Sequence, residues 1–443
     1  MSENWHNMSA ADLGRGIGAG SICPVELTES FLDAARDHPF GAQIYARMMR
    51  QQALDVAAAA RARAKAGRRR GVLDGVPVSW KDLFDTAGVA PEAGPAMLKG
   101  RVPDVNAVVV ERLTLAGMPP LGKTHQTELA FSGLGVNPVT ATPPGAYDPG
   151  AAPGGSSSGA AASVRHGLAP VAIGSDTGGS VRVPSAWNDL VGLKTTAGRI
   201  PLGGTVELAA RFDTIGPLAR NVEDAALSFA LLDESTAPDL RGASLRGVRL
   251  LVLENVALDG LDPEIAAEFE AAGDRLAAAG ARVSRGRVAQ VDEAMALAGI
   301  LYTAECYGAW AELIEAHGDR MFPPIRARFL AGRGHEAHAY IAGWRQLEAL
   351  RAGYAQACAG FDAVLVPSTA NLPPQTEALL ADQSYFAAEN LRALRNARIG
   401  NLMGLCALSL PTRARCVGIT LMAAPMQERR LLRLGAAAEN VVR

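Results

Sequence analysis

Two glycine–serine segments carry the residues best suited to do chemistry. They are Pro153-Gly-Gly-Ser-Ser-Ser-Gly-Ala160 and Gly174-Ser-Asp-Thr-Gly-Gly-Ser180-Val-Arg-Val-Pro184. Glycine allows close backbone approach to a substrate and unusual dihedral angles. Successive N–H groups in such a loop can form a concavity for an anion. A serine hydroxyl beside them is a candidate nucleophile, provided a base lies near it. Many Gly/Ser stretches are only linkers. Here the flanking runs are apolar, and Asp176 and Arg182 are placed to pair, which argues for an ordered site.

Lysine usage points to the base. Lys65, Lys81, Lys99, Lys123 and Lys194 are the only lysines among the 43 basic residues. A chain that prefers arginine so heavily keeps some lysines for what arginine does not do. An ammonium loses its proton when buried, whereas a guanidinium stays charged. Lys65 sits in an Ala/Arg-rich helical run and reads as surface. Lys81 follows Val78, precedes Leu83 and Phe84, and adjoins Trp80, an apolar setting that disfavours the charged form. Its pKa is therefore expected to be lowered, with Asp82 and Asp85 facing elsewhere.

The elements that must position these residues alternate. Short strands are expected at 75–81, 171–174, 248–253, 362–367, 407–411 and 417–421. Helical patterns cover 48–66, 156–167, 262–279, 291–316, 336–359, 386–403 and 427–441. Asp104 is the expected cap of a helix from Val105 to Ala116 ended by Gly117, and 129–155 reads as loop. Strands and helices in alternation imply an α/β fold with a covered, largely parallel sheet. With no internal repeat or linker, residues 1–443 read as one domain. The strand-free segment 290–360 reads as a mainly helical, substrate-facing insertion.

Composition narrows the function classes. The chain has 443 residues, 49% hydrophobic and 20% charged, with a formal net charge of −2. That is a globular composition with no electrostatic footprint for nucleic acid or an anionic membrane. Cys23, Cys306, Cys358, Cys406 and Cys416 are scattered and odd in number, which fits a reducing cytoplasm better than a disulfide framework. Met1 to Gly20 shows no leader pattern, and no uninterrupted apolar run reaches membrane-spanning length. No nucleic-acid or membrane partner is expected, and a homodimer is compatible with the sequence.

With these residues in view, the chain resembles the amidase signature family. Gly154-Gly-Ser156-Ser157-Ser158-Gly159 and Gly174-Ser-Asp176-Thr-Gly-Gly-Ser180-Val-Arg182-Val-Pro184 match its two defining segments. Gly75-Val-Pro-Val-Ser-Trp-Lys81-Asp82 matches the segment that carries its catalytic lysine. Gly122-Lys-Thr124, Val191-Gly-Leu-Lys194, Gly216-Pro-Leu-Ala-Arg220 and Asn401-Leu-Met-Gly-Leu405 match further landmarks.

The resemblance implies a central mixed β-sheet covered by helices on both faces, an α/β/α amidase signature fold. It implies an amidase that cleaves a carboxamide C–N bond through an acyl-enzyme on Ser180, releasing ammonia or an amine and a carboxylic acid from a small-molecule amide. Ser180 would be the nucleophile, Ser156 the bridging serine behind a cis Gly155–Ser156 peptide, and Lys81 the base. Ser157 would hydrogen-bond the lysine, with Asp176 and Arg182 as further support. The N–H groups of Thr177, Gly178, Gly179 and Ser180 would form the oxyanion hole. No cofactor and no metal is implied. Thr195-Thr196 and Asn188-Asp189 depart from the family pattern, away from the triad. The family also admits a glutaminase-type subunit of a tRNA-dependent amidotransferase complex, and ester or ureido hydrolases.

Other motifs are decoys. Gly155-Ser-Ser157-Ser-Gly159 fits a nucleophile elbow, but the strand such an elbow needs is missing before it, although His317, His335 and His338 could supply a histidine. His335 and His338 alone are too few for a metal site. Gly14 to Gly20 lacks the preceding strand of a nucleotide loop. Tyr302, Trp310 and Trp344 read first as core residues that could also line a pocket.

Overall fold

Eleven short strands join into one sheet in the computed structural model, which describes residues 5–91 and 93–443. The first four residues of the stretch read for a leader lie outside the described residues. The strands are β1 (Tyr45–Met48), β2 (Val78–Lys81), β3 (Pro120–Thr124), β4 (Val171–Ser175), β5 (Val191–Lys194), β6 (Ile215–Ala219), β7 (Arg249–Leu253), β8 (Arg282–Gly286), β9 (Ala363–Pro367), β10 (Cys406–Pro411) and β11 (Gly418–Ala423). Their order across the sheet is β1-β3-β2-β4-β6-β5-β10-β11-β9-β7-β8.

Every residue of β2 to β6 and of β9 to β11 is buried. Successive strand residues point to opposite faces, so burial of all of them means that helices cover both faces. Glu428–Val442 packs on β10, Val222–Leu232 on β6, and Arg182–Trp187 on β5 and β10. The edge strand β8 exposes Arg282, Ser284 and Arg285, the charged edge that discourages further pairing.

The sheet is mixed, as the family resemblance implies, but it is not largely parallel. β2 pairs in parallel with β3 and β4, and β7 with β8 and β9. The centre is antiparallel: β4 with β6, β6 with β5, β5 with β10, β10 with β11, and β11 with β9. The physical reason is visible at β10 and β11, where the turn at 412–417 is too short for the crossover that parallel neighbours require.

A second correction concerns the expected cap at Asp104. The helix begins at Val108 behind Ala107 and ends on Gly117, which adopts φ 93° as expected. Ala107 is non-helical, with ψ 145°, and two long-range bonds fix the start of the helix, Ala107 N–H to the Asp85 carbonyl and Val108 N–H to the Gly203 carbonyl. The expected helices elsewhere fall within a few residues of those observed; β1, β3, β5, β6 and β8 are strands beyond the set read from sequence.

Candidate active site

The parallel register of β2 on β4 sets Ser79 beside Ala172 and Trp80 beside Ile173. The two strands therefore end side by side, at Lys81 and Ser175. Lys81 is fully buried, and its Nζ donates to Ser156 Oγ at 2.7 Å and to Ser175 Oγ at 2.8 Å. Ser156 follows a cis peptide bond after Gly155. The next residue, Ser157, opens the helix Ser158–Arg165.

Ser180 lies in a turn wrapped around one buried carboxylate. Asp176 accepts from Gly179 N–H at 2.8 Å, Val181 N–H at 3.2 Å, Asn401 Nδ2 at 2.9 Å, and Arg182 at 3.0 and 2.9 Å. Burial alone would raise this carboxyl; the Arg182 guanidinium holds it well below the usual carboxylate range. Gly179 has φ 135°, and a Cβ there would lie 2.8 Å from the Ala397 side chain, so the turn requires glycine. The two serine loops are stitched together: Ser157 N–H donates to the Ser180 carbonyl at 3.2 Å, and Asn188 Nδ2 bridges the carbonyls of Pro153 and Pro184.

Burial pushes Lys81 down to about 7, against the opposing charges of Asp213 and Asp176. Asp213 is itself raised to about 6 by burial, moderated by Thr177 Oγ1 at 2.5 Å and by the N–H groups of Leu208 and Ala209. A lysine near 7 is neutral in a large fraction of molecules at neutral pH and can take a proton.

Ser180, Thr177 and Gly178 open onto a cavity of about 210 Å³. Its far walls come from the helices Ala289–His317, Pro323–Leu330 and Gln383–Leu402, through Tyr302, Arg328, Leu394 and Arg398. Tyr302 donates to the Thr177 carbonyl at 3.0 Å and stacks on Phe212.

Most of the residues expected from sequence thus meet at the ends of β2 and β4, with two corrections. Ser157 does not bond the lysine; its Oγ donates to the Ser175 carbonyl at 3.2 Å, and Ser175 Oγ takes the place beside Nζ. The reason is strand pairing, which brings the ends of β2 and β4 together and leaves Ser175, the last residue of β4, within reach of Nζ. Gly179 N–H is committed to Asp176, which leaves the N–H groups of Thr177, Gly178 and Ser180 without an acceptor among the described residues. The hydroxyl of Ser156 meets Lys81 and not that of Ser180.

Ser175 and Asp213 were missed in the sequence. Ser175 stands inside the second segment and could have been found from its adjacency to Asp176; Asp213 carries no local signal. Three of the five lysines, Lys81, Lys123 and Lys194, are buried. The decoys separate cleanly. Ser157 has no strand before it. His335 meets Thr303, and His338 meets Glu336 at the surface. Residues Ala10–Gly18 form a helix. The departures at 195 and 196 serve packing: Thr195 Oγ1 donates to the Ile215 carbonyl, and Thr196 N–H to Glu428. Among the described residues, no helix is long and apolar enough to cross a membrane.

Comparison with known proteins gives consistent findings. The profile of the family described as Amidase matches residues 26–432. A 2-amino-5-chloromuconic acid deaminase of Comamonas testosteroni is 35% identical, over 98% of this chain and 97% of its own. A glutamyl-tRNA(Gln) amidotransferase subunit from Acidothermus cellulolyticus is 31% identical, over 98% of this chain and 94% of its own. Among solved structures, an amidase superposes with TM-score 0.87 at 27% identity, over 98% of this chain and 100% of that one. The peptide amidase of Stenotrophomonas maltophilia does so with TM-score 0.80 at 25% identity, over 98% and 97%.

Proposed function

The chain belongs to the amidase family, and from that premise we propose that it hydrolyses a small carboxamide through an acyl-enzyme on Ser180, with Ser156 and Lys81 relaying the proton. One observation carries this reading above the others: a fully buried lysine lowered to about 7 stands 2.7 Å from Ser156, in the loop hydrogen-bonded to that of Ser180.

In the proposed reaction, neutral Lys81 Nζ accepts the Ser156 hydroxyl proton while Ser156 takes the proton of Ser180. Ser180 Oγ attacks the amide carbon, and the carbonyl oxygen gathers negative charge. The N–H groups of Thr177, Gly178 and Ser180 supply its stabilisation, with each such donor worth about 2.7–4 kcal/mol in comparable sites. On collapse the C–N bond breaks, and Ser156 passes its proton to the departing nitrogen while Lys81 resupplies Ser156. Water then attacks the acyl ester, releasing the carboxylic acid and Ser180. The Ser156–Ser180 link forms as substrate fills the cavity; catalytic hydrogen bonds often tighten only in the bound complex.

A fluorophosphonate probe tests the reading. It should label Ser180 and fail to label Ser180→Ala. Labelling at Ser157 would overturn the assignment of the nucleophile.

The likeness to amidotransferase subunits favours a second reading, in which the same chemistry releases ammonia from glutamine inside a complex. Full hydrolysis of simple amides by the isolated chain would argue against it. The continuous sheet supports a single domain, and five free cysteines support a cytoplasmic setting.

A further inference from the structure

Arg328 and Arg398 both line the cavity onto which Ser180 opens, and no Asp or Glu shares that lining. The Arg328 guanidinium lies over the Phe131 ring at 4.4 Å, and that of Arg398 lies 5.6 Å from the Tyr302 ring centre. Among the described residues neither makes a hydrogen bond or an ion pair, and Arg328 Nε is buried with no acceptor. Both side chains enter the same cavity, and burial together with the charge of Arg398 pushes Arg328 down to about 10.

Other inward-facing arginines have acceptors. Arg182 is paired with Asp176, Arg199 with Asp233 and Glu428, and Arg63 with Asp74, while Arg220 and Arg351 donate to backbone carbonyls. Two sequestered guanidinium groups without a counter-ion are costly to hold. Their planar forks match a carboxylate, each offering N–H donors to its oxygens. Phe131, Leu208, Ala298 and Leu394 give the wall an apolar stretch that suits a short carbon chain.

We propose that Arg328 and Arg398 form an anion subsite, and that the substrate is a small amide carrying a carboxylate, held by the two arginines while its amide lies at Ser180. This rests on the amidase reading above and adds the substrate class to it. A cavity of about 210 Å³ admits a compact ω-amido acid.

The test uses matched pairs from malonamate to adipamate, each against the neutral diamide of the same length. For the preferred length, kcat/KM for the amido acid should exceed that for the diamide by on the order of 100-fold. Arg328→Met and Arg398→Met should each cut that preference by about tenfold or more, mainly by raising KM for the amido acid. The melting temperature of each variant, measured without ligand, should change little, because the charge removed has no counter-ion. A second arm measures binding of succinate, glutarate and adipate to the wild type by calorimetry, and its loss in both variants.

Equal rates on amido acid and diamide, with no dicarboxylate binding, would overturn the subsite and leave the amidase reading standing. So would variants that lose both activities equally and melt earlier, since that is a packing role. Dicarboxylate binding that needs both arginines, without hydrolysis of any amide, would uphold the subsite and overturn the proposed reaction.

Discussion

Lys81 Nζ stands 2.8 Å from Ser175 Oγ, each at the end of its strand, and the parallel pairing of β2 with β4 puts them there. A lysine so placed is fully buried between its two hydroxyl partners. Its behaviour on titration is the most direct check on the proposed relay.

Activity should rise with pH through about 7, where burial places Lys81. Lys81→Ala should lose about 10²–10⁴-fold, the usual contribution of a general base. Lys81→Arg should be nearly as damaging, because the guanidinium holds its proton. The stability linkage has a defined sign. Between about 7 folded and about 10.5 unfolded, only the unfolded chain binds this proton. Stability from this group therefore increases as pH rises across that window, and it is absent below about 7. Lys81→Met should flatten that part of the profile in denaturant melts.

Asp213 acts on the same titration from a distance. Its carboxylate favours the charged lysine. Asp213→Asn keeps an oxygen for Thr177 but removes the charge, so the Lys81 midpoint should move to lower pH. Rates relative to the plateau at pH 6 should then be higher than in the wild type. An unchanged midpoint would show that Asp213 serves only the fold of the loop.

Arg182 is a structural prediction. Arg182→Met would leave Asp176 buried without its cation and should cost about 3–5 kcal/mol, with the Ser180 turn disordered. Denaturant midpoints and probe labelling at Ser180 measure both consequences.

Tyr302 links the helical segment to the nucleophile loop. Tyr302→Phe leaves the Thr177 carbonyl without its 3.0 Å donor and should destabilise by about 1–3 kcal/mol. Because Thr177 lines the cavity beside Ser180, kcat should fall more than KM rises. Equal thermal and kinetic behaviour to the wild type would remove Tyr302 from the positioning of that loop.

Local chemistry made much of this protein legible. Ser180 and Lys81 stand out as candidates by glycine context and by the rarity of lysine, and the role proposed for Ser156 comes from the resemblance of its segment to the amidase signature. The Asp176–Arg182 pair was also readable, since six positions across one turn bring them together. Amphipathic helices and the apolar strands β4, β7, β9, β10 and β11 follow from period and turn residues, which are local too.

What the sequence did not determine is whatever depends on which distant strands lie side by side. The antiparallel centre of the sheet, the choice of Ser175 over Ser157 beside the lysine, and the approach of Asp213 all come from strand pairing, which carries no local signature. The adjacent but unneutralised Arg328 and Arg398 belong to this group as well. They sit 70 positions apart on separate helices, among 38 arginines of which most are ordinary surface charges. Only the packing of those helices over Ser180 turns both into one cavity and withholds a carboxylate from both, because burial and charge pairing are properties of the folded neighbourhood and not of the residue.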